Sequence, residues 1–471
     1  MAGRERVWYR IPGWLCYVLV CCAAAYAEPQ DTLNSEFISL DAARPVLAAF
    51  SDSIPPDLKP MRSLDAAKWS AWVLKADRDV RDRLNAGEED TLTNLLRFGV
   101  SFTKEYRIDD EYLVRYGKSS LVDSFAENRA NDLVRALAAP NTWPPNSSEG
   151  MARMRAFLEK KGFSFKTAAE RARIRKYLLG NLAHMRDDVQ RYRAPAQEET
   201  RSQLFKDRGI SLDTNLWPDF LLDQHFRHMV EKGLLKPGSA QRIAIVGPGL
   251  DFANKEKGND FYPPQTIQPF AVLDSLVRLG ITNPDTAVIY TLDISAEVNF
   301  HVTRAKKNAL AGHSYTVQLP WNTAARQTEE YRRSFVQYWQ KLGDQIGEPV
   351  RPIAVPSAAS ETQTRAVKVR PGIVGRLTAL DMNIVFQRLP MAPEQGFDLV
   401  IGTNIFIYYD AFEQSLARAN VAAMLKPGGY LLSNDKFPDT VPFGLVRALD
   451  TTLLVARDPE RSDTMFCYQK Q

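Results

Sequence analysis

"RIAIVGPGLDF", Arg242–Phe252, decides how this chain is read. Ile243, Ala244, Ile245 and Val246 run straight into Gly247 and Gly249, and then an acid, Asp251. A short apolar run of this kind is a buried strand, and residues without Cβ let backbone approach a ligand closely at its carboxyl end. A dinucleotide fingerprint also asks for a third glycine and an immediate helix whose N–H groups meet a pyrophosphate. Here the third glycine is absent, Asp251 would repel a phosphate, and "NKEKGNDFYPPQ" delays the next helix until Thr266. The loop disfavours a diphosphate and suits a ligand carrying a cationic amine or sulfonium.

Working outward, short apolar runs alternate with amphipathic stretches from about residue 204 onward. "AVIYTLDIS" places Asp293 at a second strand end, where a carboxylate can accept both hydroxyls of a ribose. "TALDMNIV" places Asp381 and Asn383 at a third, within reach of an adenine amine and ring nitrogen. "FDLVIGTNIFIYYD" brings Asn404, Tyr408 and Tyr409 to a fourth, and "LKPGGYLL" leads into a fifth. "TIQPFAVLDSLVRLG" and "AFEQSLARANVAAML" are the intervening helices. Buried runs alternating with helices predict a parallel sheet with crossover helices. "TTLLVAR", "DPERSD" and "TMFCYQKQ" break that rhythm, because strands joined by so short a turn must be antiparallel. Tyr262, Gln265 and Gln268 lie beside the glycine loop, where they can form a lid.

At this point residues 240–471 resemble the class I S-adenosylmethionine-dependent methyltransferases. "VGPGLD" is similar to their glycine loop, "LDIS" to their ribose-binding acid, "ALDMN" to their adenine-contacting segment and "LKPGGYLL" to their late strand signature. "FDLVIGTNIFIYYDAFEQSLARANVAAMLKPGGYLL" is particularly similar to the chemotaxis-receptor methyltransferases, although Thr403-Asn404 stands where those have Arg-Asn. Ile245 occupies a position that is commonly acidic in the family, and His313–Arg376 reads as an inserted substrate-recognition segment. The resemblance implies a doubly wound, Rossmann-like α/β domain over 204–471, with a mostly parallel seven-stranded sheet and a C-terminal antiparallel hairpin. It also implies S-adenosylmethionine as cofactor, held by Gly247, Gly249, Asp251, Asp293, Asp381, Asn383 and Asn404. The catalytic candidates are Asn404 and Tyr408, and the methyl acceptor is unidentified. A sulfonium methyl is already electrophilic, so alignment of a nucleophile can supply much of the acceleration without a metal.

Upstream, residues 28–200 read as a helical accessory region. "SLDAAKWSAWVLKADRDVRDRL", "SSLVDSFAENRANDLVRALAA", "GMARMRAFLEKKG" and "TAAERARIRKYLLGNLAHMRDDVQRY" each space apolar residues three and four apart. "APNTWPPNSS" separates two of them, and "RAPAQEETRSQ" links the region to the α/β half of the chain. The first 27 residues read as a leader: "MAGRERVWYR" is basic, "IPGWLCYVLVCCAAAYA" is uncharged, and Ala25-Tyr26-Ala27 fits a cleavage site. That layout predicts an exported protein, or one associated with the membrane through its N-terminus. The need for an adenosyl cofactor points instead to the cytoplasm.

Composition narrows the rest. The chain has 471 residues, 45% apolar and 25% charged, with a net charge of +4 and no long basic run, so no nucleic-acid partner is expected. Of the four cysteines, Cys16, Cys21 and Cys22 lie in the leader and only Cys467 beyond it, which leaves no disulfide framework. His225 and His228 stand one helical turn apart without partners that complete a metal set. Two rival readings remain: a non-catalytic exported binding protein on the same scaffold, and a nicotinamide-dependent oxidoreductase.

Overall fold

The computed structural model describes residues 34–193, 205, 209–214, 216–251, 260–322, 329–454 and 462–471. The leader, Ala194–Gln203 of the expected linker and Asp458–Arg461 of the turn expected between the last two strands lie outside them, whereas Ser462 and Asp463 of that expected turn open the last strand. In chain order the strands are β1 (Glu36–Phe37), β2 (Arg242–Val246), β3 (Val288–Asp293), β4 (Tyr315–Asn322), β5 (Gly347–Val350), β6 (Thr362–Val369), β7 (Leu377–Asp381), β8 (Gln387–Arg388), β9 (Phe397–Gly402), β10 (Leu425–Ser433), β11 (Leu445–Leu454) and β12 (Ser462–Lys470). The helices are α1 (Leu40–Ala49), α2 (Ala66–Phe98), α3 (Asp110–Arg115), α4 (Ser120–Ala138), α5 (Ser148–Lys160), α6 (Ala168–Arg193), α7 (Trp217–Glu231), α8 (Gln268–Arg278), α9 (Ala296–Leu310), α10 (Glu329–Lys341), α11 (Pro371–Val374) and α12 (Ala411–Met424).

Seven strands form one sheet in the order β11-β12-β10-β9-β2-β3-β7. Five of them, from β10 to β7, run parallel, and β12 is antiparallel to both β10 and β11. This is a mixed seven-stranded sheet with flanking helices, as an α/β methyltransferase fold requires. The two-residue period of a strand divides its side chains between two cores. Ile243, Ile245, Ile289, Leu399, Ile401 and Leu432 face one layer, which α7, α8, β4, β6 and α10 cover. Ala244, Val246, Tyr290, Leu292, Val400 and Leu431 face the other, covered by α1, α12 and the first part of α2. Each fully buried Leu or Ile in these layers contributes about 1.5–3 kcal/mol.

His313–Arg376, expected as an insertion, contains the antiparallel sheet β4-β6-β5 together with α10. Trp321, Phe335, Tyr338 and Trp339 bring it into the first core, so it buttresses α7 and α8.

The helical region divides. Ile38, Leu40, Val46, Trp69, Val73 and Val80 share the second core with the sheet. Leu92 to Met185 build a separate apolar cluster among α2–α6. Helix α2 spans both, and it extends well past the amphipathic stretch ending at Leu84 that the sequence marks. Asp65 caps it by accepting from the Lys68 N–H at 2.8 Å. No helix among the described residues is long and apolar enough to cross a membrane.

Candidate functional site

The carboxyl ends of β2, β3, β7 and β9 meet around a cavity of about 240 Å³. Gly247 and Gly249 line it, both with positive φ (63° and 66°) that a larger residue adopts only with strain. A Cβ on Gly249 would also lie 2.6 Å from the Leu212 carbonyl oxygen. The reason is a strap, residues 209–214, that crosses the glycine loop and accepts the Leu250 N–H on that same oxygen at 2.7 Å. Asp293 lines the cavity from the end of β3. It is 6% exposed, accepts the Ser295 N–H at 2.8 Å, and burial pushes its pKa up to about 7. Asn404 and Tyr408 line it from the loop after β9. Asn404 sits at φ 57°, and its N–H and side-chain oxygen both bond Asn434, each at 2.7 Å.

Three of the expected contacts are not on this cavity. After the glycine loop the chain turns inward, and Asp251 pairs in a bridge with Gln265. Its carboxylate accepts from the Tyr262 hydroxyl at 2.6 Å and from Gln265 at 3.1 Å, and burial pushes it up to about 7. Asp251 is therefore an interior acid beneath the loop. Tyr262 and Gln265 are its internal partners, and of the expected lid residues only Gln268 reaches the cavity. Asp381 is claimed by Arg81 of α2 at 2.6 Å. Asn383 is wholly buried and donates to Asp77 of α2 at 2.8 Å. The side chains that do line the wall after β7 are its neighbours Met382 and Ile384, with Ile294 adding to it from the end of β3. Apolar side chains thus stand where polar contacts were expected. The carboxylate-rich rim read from the sequence reduces to Asp293, joined by Asp213 of the strap.

Helix α2 assembles these walls. Arg81 donates to Asp381, to the Ile294 carbonyl at 3.1 Å and to Asp77 at 3.0 Å. Arg83 donates to the Tyr408 carbonyl at 2.7 Å, and its own carbonyl accepts the Ile210 N–H at 3.2 Å. Gly87 lets the strap touch the helix, since a Cβ there would lie 1.7 Å from the Ile210 carbonyl oxygen. Thr91 donates to Asp213 at 3.1 Å. The residues fall on one helical face, but charged side chains give no apolar periodicity to reveal it. A glycine inside a long charged helix was the available signal.

A second hydrogen-bonded set backs the wall of the cavity formed by Gln268 and Thr403. The Gln268 amide donates to Thr403 Oγ1 at 2.8 Å and to Asp219 of α7 at 3.2 Å. Thr403 and Gln268 line the cavity; Asp219 lies behind them, 2% exposed, and burial pushes it up to about 7. His225 and His228 both bond the Thr451 hydroxyl, at 2.8 and 3.0 Å, tying α7 to β11. Among the described residues no group of three His, Cys, Asp or Glu could hold a metal.

No family model and no curated protein matches the chain. Solved structures do. N-methyltransferase NodS from Bradyrhizobium japonicum WM9 is 9% identical, with 53% of this chain and 96% of that one covered and a TM-score of 0.25. Magnesium protoporphyrin IX methyltransferase (ChlM) from Synechocystis PCC 6803, with bound SAM, is 11% identical over 60% and 90% of the two chains, with a TM-score of 0.26. The CMeT domain of the citrinin polyketide synthase is 10% identical over 83% and 96%, with a TM-score of 0.25. Scores this low leave the chemistry to be read from the cavity itself.

Proposed function

We propose that this protein is a methyltransferase that binds S-adenosylmethionine in the cavity at the ends of β2, β3, β7 and β9. The observation that carries the reading is the placement of Gly247, Gly249 and Asp293 on one cavity at the carboxyl edge of the seven-stranded sheet. In open α/β sheets ligands bind at that edge. Asp293, once ionised, has the acceptor capacity for two ribose hydroxyls. Met382, Ile384 and Ile294 offer an apolar slot for the adenine. The backbone of the glycine loop and the strap around Asp213 take the methionine end.

The same geometry argues against a diphosphate ligand. The glycine loop opens onto a bridge with Gln265, and among the described residues the next helix, α8, begins only at Gln268. Asp293 and Asp213 would face the phosphates. Asn404, Ile405 and Tyr408 line the same cavity, and in this reading they orient a nucleophile in line with the sulfonium methyl.

Calorimetric titration of the full chain with S-adenosylmethionine tests this reading. We expect saturable heat with one site per chain, weakened in Asp293→Ala. A folded wild-type protein that takes up no S-adenosylmethionine would overturn it.

A further inference from the structure

Asn404 shows the cavity one fixed end of its amide. Its backbone N–H can only donate, and it bonds a side-chain atom of Asn434 at 2.7 Å, so that atom is the Asn434 carbonyl oxygen. The Asn434 NH2 is then the end that lies 2.7 Å from the Asn404 side chain, and because it too only donates, it meets the Asn404 Oδ1. The pair thereby settles the direction of both amides. Asp463 of β12 accepts from Asn434 as well. The Asn404 oxygen is turned to Asn434, and its NH2, with no protein partner among the described residues, is the end left for a ligand. The loop that carries it is clamped from two sides. Asn404 takes a left-handed φ of 57°, and Phe406 and Ile407 donate their N–H groups to Asp435, the neighbour of Asn434, at 3.0 and 3.2 Å. From α2, Arg83 donates to the Tyr408 carbonyl at 2.7 Å, and its Nε and Nη1 are buried without a hydrogen-bond partner among the described residues. In the sheet, β9 and β7 flank β2 and β3 on opposite sides, so Asn404 stands across the cavity from Met382 and Ile384. Ile405 covers Gly247, where a Cβ would lie 2.2 Å from the Ile405 Cδ1.

We infer, resting on the methyltransferase reading, that Asn404 donates to an oxygen of the methyl acceptor, and that Asn434 is the positioning residue that fixes this polarity. With adenine on the Met382 side, the sulfonium and its methyl come toward Asn404. In the transfer, a lone pair of the attacking atom forms the bond to the methyl carbon while the C–S pair stays on sulfur. An attacking atom that carries a proton releases it to solvent. A hydrogen bond to the attacking lone pair would blunt it, so the oxygen that Asn404 recognises is a second one, a carbonyl oxygen adjoining the attacking atom. An amide turned the other way would instead accept an N–H of the acceptor. Asn434 excludes that direction, because its own NH2 already requires the Asn404 oxygen.

The test uses two analogues of S-adenosylmethionine in which another arm replaces the methyl on sulfur. One bears a 2-oxopropyl arm, the other a 2-methylallyl arm. The arms share shape and sulfonium charge and differ in C=O against C=CH2, and the cofactor's own carboxylate is common to both, so it cancels in the ratio of their dissociation constants. Calorimetry on the full-length wild type should show the 2-oxopropyl analogue binding about fivefold more tightly. In Asn404→Ala the ratio should fall to unity. Asn434→Asp keeps an acceptor for the Asn404 N–H, and with it the clamp on the loop, but it draws the Asn404 NH2 away from the cavity; the ratio should fall to unity or invert. Asn434→Ala, which frees the Asn404 amide to turn, should bring the ratio toward unity as well. Equal binding of the two analogues to the wild type, or preference for the 2-methylallyl arm, would overturn the inference whatever the variants do. An unchanged ratio in Asn404→Ala would overturn the role of Asn404, and an unchanged ratio in either folded Asn434 variant would overturn that of Asn434. Failure of S-adenosylmethionine itself to bind would instead overturn the underlying reading, so the two failures are distinct.

Discussion

Asp293 and Asp381 end neighbouring parallel strands and stand directly opposite each other in register. From the sequence the two look alike: an acid after an apolar run, at the ligand-binding edge of a sheet. In the structure they have opposite roles. Asp293 is buried, lines the cavity and has its carboxylate held by the Ser295 N–H. The Asp381 side chain is 59% exposed and turned to Arg81 of a helix about 300 residues earlier in the chain. A strand end is thus a permissive place for a ligand-binding acid, and what packs over it decides whether it serves.

The largest effect should separate the two directly. Asp293→Ala is expected to weaken S-adenosylmethionine binding on the order of a hundredfold, through loss of two hydrogen bonds to a charged group. Asp381→Ala should leave it within about threefold, since a solvent-exposed pair contributes little. Equal losses in calorimetry would erase the distinction between the two acids. Next, Gly87→Ala drives a Cβ into the Ile210 carbonyl. The strap must shift from α2, and we expect roughly a tenfold loss of affinity together with a lower thermal midpoint, about 2 kcal/mol of overpacking. Retained affinity would show that the strap is not a wall of the site.

Arg81→Met should be milder. It removes the link between α2 and both Asp381 and Asp77, leaves the partly buried Asp77 without its cation, and costs about 1–2 kcal/mol by denaturant titration. Restoring stability with Asp77→Asn in the same chain would identify the unpaired buried acid as the source; a denaturation midpoint that Arg81→Met leaves unmoved would show that α2 is held by its apolar face alone.

The smallest effect concerns protons. Burial pushes Asp219, Asp251, Asp293 and Asp435 each up to about 7. Each folded-state value lies above the unfolded one near 4, so folding takes up protons. That contribution is complete below about pH 4 and is lost as pH rises through about 7. The thermal midpoint of the free protein should therefore fall between about pH 5 and pH 8, with a shallower fall in Asp293→Asn. Accepting ribose hydroxyls requires the ionised form of Asp293. Binding near pH 6.5 should then release a proton, seen as a heat that depends on the buffer's ionisation enthalpy. A buffer-independent heat would place the ribose elsewhere.

Much of the sheet was legible because strands and crossover helices announce themselves through apolar periodicity. "RIAIV" and "FDLVIG" fell at their strands, whereas β11 starts at Leu445, six residues ahead of "TTLLVAR". The glycine loop was legible too, because positive φ at Gly247 and Gly249 leaves few alternatives. Asp251, Asp381 and Asn383 misled, since a polar residue at a strand end can turn toward a ligand, toward the interior or toward another helix, and spacing does not distinguish these. Asp213, Gln268, Thr403 and Asp219 were missed as a group or in their roles. Their meaning lies in hydrogen bonds that close across 49 to 135 residues of chain.

By itself the sequence determined the α/β architecture of the C-terminal half, the edge of the sheet that faces a ligand, and the close backbone approach at Gly247 and Gly249, because local sterics and the two periodicities act within a few residues. Only the tertiary structure decided which acids face the cavity. Helix α2, distant in sequence, delivers Arg81 to Asp381, Asp77 to Asn383 and a bare glycine to the strap, and electrostatic pairing across such separations leaves no local pattern to read.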